Sequence, residues 1–305
     1  MTQVPDISVV IPTWNTRDLL ERCLDSLYAS EGPSFEVIVV DNASSDGSAA
    51  LIEERYPAVQ LIENDRNEGF AIACNQGMKV SIGRYVLLLN TDTETPRGGL
   101  AEMIAFLEKN ETYGALAPRL VFPDGRTQCG VHDFPTLSTA FFFATPFERW
   151  FPESRELRRY FKRDWDHETS EDIDQPPAAV LLIRRAVLKQ VGLFDERLWL
   201  FYNDVDLSLR IKRAGWKTRY LADVCFIHHH GSSTAKFDDF LSQWQKDRLL
   251  YYRKHYGVAG SQWVKACVGL ALLDFLQLQL RNRMRGRPAE PVWPLARRYA
   301  GFLRM

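Results

Sequence analysis

Three carboxylates and a run of histidines stand where apolar stretches stop. Residues 87–96 read LLLNTDTETP, an apolar run that ends in Asn90, Thr91 and Asp92. A hard divalent cation takes oxygen ligands and prefers carboxylates. Asp92, with Asn90 and Thr93 beside it, suits a cation that bridges a diphosphate carrying oxygens of its own; on the plainer alternative it caps the helix after Pro96. Asp41 closes a second apolar run, FEVIVVD. It can accept the imide N–H of a pyrimidine base or hold a ribose, or it can belong with Ser45, Asp46, Gly47 and Ser48 to a cap and turn. Asp204 stands where WLFYN ends and a helical pattern begins. Desolvation there raises a carboxyl pKa and the helix N-terminus lowers it. A carboxylate so placed can remove a proton from a substrate hydroxyl, or serve as an N-cap only. His228, His229 and His230 follow the apolar run CFI. An imidazole beside carboxylate and phosphate oxygens suits Mn²⁺ better than Ca²⁺. His228 and His230 share one strand face, so periodicity does not choose between them.

Two further features bear on binding. Asn67-Glu68-Gly69-Phe70 precedes a helical pattern. A glycine there admits a ligand close to the backbone, and a helix N-terminus attracts phosphate; a plain turn before a capped helix is the alternative. Asp206 and Arg210 are spaced i, i+4, which fits helix support rather than chemistry.

The elements that must position these groups follow from periodicity. Apolar, β-branched runs at 7–12, 35–40, 59–62 and 85–89 alternate with helical patterns at about 15–28, 45–56 and 70–81. That alternation predicts βαβ units and a parallel sheet buried on both faces. In such sheets ligands bind outside the carboxyl ends of the strands, where Pro12, Thr13, Asp41, Asn67, Gly69 and Asp92 lie. The sheet resumes at 178–183. A helix is expected over 204–214, closed by Gly215 as its C-terminal cap, then a short strand at 225–228. Residues 131–175, rich in aromatics, proline and charge, are expected to run over the site as a long excursion, helical near 153–162 or in part disordered. From Asp238 onward the pattern is helical and amphipathic, then arginine-rich.

Bulk properties narrow the class. The chain has 305 residues, 46% hydrophobic, with formal net charge −1. A sizeable core is affordable, and nothing drives the protein toward nucleic acid. Five scattered cysteines without a C-x-x-C spacing point to a reduced, cytoplasmic setting. Residues 1–5 do not read as a signal peptide. The most apolar segment, 263–280, includes Lys265, Asp274, Gln277 and Gln279, so a membrane-spanning helix is not expected. No G-x-G-x-x-G follows the first strand and no P-loop sequence occurs, which argues against dinucleotide and P-loop chemistry.

The segments VVIPTWN, VDNASSDGS, NEGFAIACNQG, LLLNTDTETP, LLIRR, VGLFDE, YNDVDLSLRIKRAGW and IHHHGSST occur in that order. Together they resemble the inverting family 2 glycosyltransferases of GT-A fold, the rhamnosyltransferase-like and galactofuranosyltransferase-like branches above all. The resemblance covers roughly residues 7–234. It implies a nucleotide-diphosphate sugar donor, dTDP- or UDP-linked and carrying for instance rhamnose. It also implies a divalent cofactor, Mn²⁺ or Mg²⁺, and a glycan or lipid-linked acceptor in bacterial-type surface polysaccharide synthesis. By position, Pro12, Thr13 and Asp41 correspond to base and ribose contacts, and Asn67 and Gly69 to the lining of the nucleotide pocket. Asn90-Thr91-Asp92 corresponds to the D-x-D segment, with Asp92 as metal ligand. His228, thirteen residues after Gly215, corresponds to the metal-binding histidine, and Asp204 to the catalytic base. Two positions depart from the pattern: Asn90 replaces the first acid of D-x-D, and Asn203 replaces the acid before the base.

The resulting expectation is a single mixed, mainly parallel sheet flanked by helices. A catalytic domain spans 1–235, divided into a nucleotide-binding half (1–95) and an acceptor-binding half (96–235). A helical, basic extension spans 236–305. That extension contains seven arginines against Glu290 over its last twenty-five residues. It is expected either to meet an anionic membrane on the inner leaflet or to pack on the domain or a second copy. The rival reading is a non-catalytic nucleotide-sugar or glycan-binding module, for which Asn90 and Asn203 speak.

Overall fold

A computed structural model describes residues 4–229, 240–288 and Phe302. His230, the 231–234 segment, the expected boundary at 235, Glu290, Arg297, Arg298 and Arg304 lie outside the described residues. The chain divides into two compact units. One comprises Met1–His132 and Trp165–Asp238, the other Asp133–Asp164 and Asp239–Met305.

The first unit begins with β1 (Ile7–Thr13), α1 (Arg17–Tyr28), β2 (Phe35–Asp41), α2 (Ser48–Arg55), β3 (Gln60–Glu63), α3 (Phe70–Val80) and β4 (Tyr85–Leu89). It continues with β5 (Thr93–Glu94), α4 (Gly99–Lys109) and β6 (Tyr113–Val121). Its later part holds β7 (Asp172–Ile173), β8 (Val180–Arg184), α8 (Arg185–Val191), α9 (Asn203–Arg213) and β9 (Lys217–His228). The strands form one mixed sheet in the order β3-β2-β1-β4-β8-β6-β9-β5, with β7 also paired to β9. β1 to β4 are mutually parallel, β8 runs antiparallel between β4 and β6, and β9 is parallel to β6.

The unbroken apolar runs follow from burial on both faces. Val9, Ile11, Val37, Val39, Leu87 and Leu89 join one core with Leu20 and Leu24 of α1, Ile52 of α2 and Met103 of α4. The intervening Val10, Ile38, Val40, Val86 and Leu88 join the other core with Cys74 of α3, Val187 of α8 and Leu207 and Ile211 of α9. In the loop between β2 and α2, Asp46 accepts the amide of Arg17 at the start of α1 through one carboxylate oxygen, and the amide and hydroxyl of Ser48 at the start of α2 through the other, satisfying the first turns of two helices. The N-cap position itself is Gly47, in the left-handed region at φ 85°.

β5, β7 and α8 have no counterpart in the expected elements, and two longer strands also differ from expectation. The last strand runs over Lys217–His228 rather than only 225–228, and its partner β6 has no counterpart in the periodicity reading. β6 contains Pro118, and next to it the pairing jumps from Leu221 to Cys225, a bulge that absorbs the missing N–H. All five cysteines are free.

In the second unit, α5 (Leu137–Phe142), α6 (Pro146–Trp150) and α7 (Arg155–Tyr160) pack with α10 (Phe240–Met284). The three short helices start on hydroxyl caps, Thr136, Thr145 and Ser154. The centre of the 131–175 stretch thus belongs with the C-terminal helix. α10 breaks at Gly257, where φ is 69° and ψ −167°. Its side chains reach back to the short helices: the Tyr252 hydroxyl donates to the Thr136 carbonyl at 2.8 Å and the Trp263 indole to that of Leu137 at 2.9 Å. α10 is long and apolar enough by length and composition to cross a membrane, although its apolar part includes Lys265 and Asp274. Only 22% of its most apolar window is buried.

Candidate active site

Beyond the carboxyl ends of β1, β2 and β4 lies a cavity of about 370 Å³. Pro12, Thr13, Asn67, Gly69, Asn90, Thr91, Asp92, Asp204 and His228 all line it. Asp41 does not. Its carboxylate is buried and turns back to accept the hydroxyl and the amide of Ser44. The neighbouring Asn42 lines the cavity in its place.

One wall is an amide ladder. Asn42 donates to the Gly69 carbonyl at 3.3 Å, Asn64 donates to Asn42 at 2.8 Å, and Asn64 and Gln76 exchange bonds at 2.9 and 2.8 Å. Asn67 accepts the Gly69 amide at 3.0 Å. Gly69 sits at φ 91°, and a Cβ there would overlap the Trp199 indole, so only glycine lets that ring close over the loop. The Trp199 carbonyl accepts the Phe70 and Ala71 amides at 2.9 and 3.3 Å. The first amides of α3 are therefore occupied, which corrects the expectation that this helix N-terminus attracts phosphate.

The opposite edge is built by strand register. After Asp92 the chain pairs as β5 against the end of β9, with Thr93 opposite His228. The His229 amide donates to the Asp92 carbonyl at 2.8 Å. This pairing leaves Asp92 Oδ1 and His228 Nε2 3.4 Å apart, both side chains over 90% buried. Gln128 fixes the ring. Its amide nitrogen donates to the His228 carbonyl at 2.6 Å and its Oε1 meets Nδ1 at 2.7 Å. An amide oxygen only accepts, so Nδ1 carries a proton, and Nε2 is the ring atom turned toward Asp92. Gln128 reaches this point because the turn after β6 folds back, with the Gln128 amide on the Leu120 carbonyl at 2.8 Å. His229, by contrast, meets Glu94 at 2.7 Å.

A carboxylate oxygen and an imidazole nitrogen held by an outer-sphere amide suit a borderline divalent ion. Among the described residues no group of three or more His, Cys, Asp or Glu is placed to hold a metal. The pair therefore offers a cation two ligands.

Asp204 lies in the first turn of α9, whose N-cap is Tyr202 at φ 60° rather than Asp204 itself. Burial pushes its carboxyl above the usual aspartate range, and backbone amides of Val205 and Ala178 work against that shift. The preceding Asn203 is buried and donates to the Leu200 carbonyl at 2.9 Å, so it serves the loop. Asp206 pairs with Arg210 at 2.9 Å, as its spacing implies. Arg210 also gathers the carbonyls of Val191, Gly192 and Leu193. Asn75 of α3 clasps the Phe194 backbone, donating to its carbonyl at 2.9 Å and accepting its amide at 3.0 Å. These two side chains set the loop that delivers Trp199, Leu200 and Phe201 to the cavity. Gln128 and Trp199 have no signal in the sequence reading; the nearest is Gly69, read there as room for a ligand and filled instead by the Trp199 ring.

Comparison with known proteins places this geometry. The model for glycosyl transferase family 2 matches residues 8–192. The N-acetylglucosaminyl-diphospho-decaprenol L-rhamnosyltransferase of Mycobacterium tuberculosis is 28% identical over 251 residues, 77% of this chain and 79% of that protein. The O-antigen biosynthesis protein RfbC of Myxococcus xanthus is 30% identical over 75% of this chain, but over only 18% of its own length. Among solved structures, the mannosyltransferase PcManGT of Pyrobaculum calidifontis, in complex with GDP-Man and Mn²⁺, superposes with TM-score 0.58 at 19% identity. That match covers 100% of this chain and 82% of the other.

Proposed function

This chain belongs to glycosyl transferase family 2 and has the GT-A fold, and on that premise we propose that it is an inverting, divalent-metal-dependent enzyme. It moves a sugar, rhamnose on the likeness to the decaprenol-linked rhamnosyltransferase, from a dTDP or UDP donor to a hydroxyl of a lipid-linked glycan. We place it in the cytoplasm. The observation that carries this reading is that Asp92, paired with His228, and Asp204, more than a hundred residues from Asp92 in the chain, line one cavity.

In this reading Pro12, Thr13, Asn42, Asn67 and Gly69 hold the nucleoside, and the Trp199 indole offers a flat apolar face to base or sugar. Asp92 and His228 hold the divalent ion, which when bound supplies Lewis-acid charge to the diphosphate. Asp204 accepts the proton of the acceptor hydroxyl. The acceptor oxygen bonds to the anomeric carbon as the bond from that carbon to the diphosphate oxygen breaks, and the nucleoside diphosphate leaves with the electron pair. One in-line displacement inverts the centre without a second carboxylate.

The test is turnover by the purified chain with dTDP-, UDP- and GDP-sugars and Mn²⁺ or Mg²⁺, with Asp204→Asn alongside. Loss of turnover in the variant, with nucleotide affinity kept, supports the assignment. Equal turnover removes Asp204 as base. Donor binding without any turnover in the parent chain supports the non-catalytic alternative.

A further inference from the structure

The second unit carries an exposed apolar stripe, interrupted at Gln277, that the proposed transfer reaction does not use. In α10 after Gly257, Trp263, Leu270, Leu273, Leu280 and Met284 recur every third or fourth residue or a multiple of it, so they form one stripe. All are exposed, Leu273 at 57%, Leu280 at 59% and Met284 at 71%. The opposite side of the same helix, with Val264, Cys267 and Val268, is buried. The stripe continues onto the short helices through ring contacts. Trp263 stacks on Phe141 at 6.0 Å, Phe141 on Phe147 at 4.2 Å, and Phe147 meets Trp150 at 5.5 Å and Phe151 at 6.3 Å. Trp150 and Phe151 are themselves 56% and 54% exposed. At the end of the stripe Arg281, Arg283, Arg285 and Arg287 are all exposed.

We propose that this face docks on an anionic lipid bilayer, with the aromatic and leucine side chains seated in the interfacial layer and the arginines on the headgroups. Charge complementarity selects this occupant. Four exposed arginines clustered at one end of an apolar stripe match anionic headgroups. In a second copy lying parallel they would face their own kind. The helix lies along the surface rather than through it. Its buried side is already covered by protein, and Asp274 is tied to Arg149 of α6 at 3.0 Å, which anchors the middle of α10 beside the short helices. The inference is independent of the donor chemistry: it concerns a different unit and survives if no sugar is transferred.

The experiment is flotation of the full chain with vesicles of phosphatidylcholine alone and of phosphatidylcholine with phosphatidylglycerol, across a salt series. Quenching of tryptophan fluorescence by brominated lipid needs no variant and reports insertion directly. Binding is expected to the anionic vesicles, weakening with salt, with tryptophan quenched. Arg281→Glu/Arg283→Glu/Arg285→Glu is expected to lose on the order of a hundredfold in anionic-vesicle binding. Trp150→Ser/Phe151→Ser is expected to lose roughly tenfold. Circular dichroism and thermal unfolding check that the variants fold.

Three outcomes overturn the proposal. The first is equal binding to both vesicle types with unquenched tryptophan. The second is a stable dimer that Leu273→Gln/Leu280→Gln dissociates while vesicle binding is unchanged, which makes the stripe a seam between copies. The third is resistance to alkaline extraction from cell membranes, which makes α10 a spanning helix.

Discussion

Asp92 and Asp204 reach the same cavity by different means. Asp92 is set by backbone. It follows β4 directly, and the pairing of β5 with β9 fixes its distance to His228. Asp204 is set by side chains. Its helix and the loop before it are held by Arg210 and by the clasp of Asn75 on Phe194. A position set by ladder hydrogen bonds moves only if the sheet moves, whereas one hung on two polar side chains can be loosened singly.

The comparison can be broken most sharply at Asp204. Asp204→Asn keeps the shape and removes the base, and kcat is expected to fall by ~10²–10⁴-fold with little change in nucleotide binding, measured by steady-state kinetics and calorimetry. On the backbone-held side, Gln128→Ala frees the His228 ring without touching a ligand. Divalent-ion affinity, read by Mn²⁺ paramagnetic resonance, is expected to fall by about 10–100-fold, and Gln128→Glu, which retains an acceptor for Nδ1, to fall less. Asn75→Ala tests the side-chain-held half. It leaves two backbone groups of Phe194 unsatisfied, at a cost of about 1–3 kcal/mol in denaturant unfolding, and lowers kcat more than it weakens nucleotide binding.

The smallest effects are those of pH and stability at Asp204. Its carboxyl is raised above 3.8 by burial, and a base must be ionised. The acid limb of kcat/KM is therefore expected above the ordinary aspartate range. Stability has the opposite sign. A raised folded pKa means the folded state favours the protonated form, so stability is lost as pH rises from 3.8 through the raised value. Asp204→Asn should remove that loss and raise the melting temperature at neutral pH, a gain that shrinks in acid.

Much of the cavity's lining in the first half of the chain was legible in sequence. Runs such as VVIP, VIVV and VLLL are what strands buried on both faces require, and polar groups at their ends mark where a ligand sits. Asp41 shows the limit. Its place at a strand end was readable, but not the turn of its carboxylate onto Ser44. The 131–175 stretch shows another. Its helices are too short for a period to declare itself, and their apolar sides are explained only by α10. Pro118 hid β6, since proline argues against an interior strand unless a bulge, itself a property of the partner strand, accommodates it.

The sequence by itself therefore determined the strand cores and the residue types at their ends, Asp92 after β4 among them, because those signals are local and repeat with the backbone's own period. Only the tertiary structure decided how close His228 comes to Asp92, that Gln128 orients its ring, and that Trp199 closes over Gly69. Those facts rest on register and reach between segments distant in the chain, which no local pattern encodes.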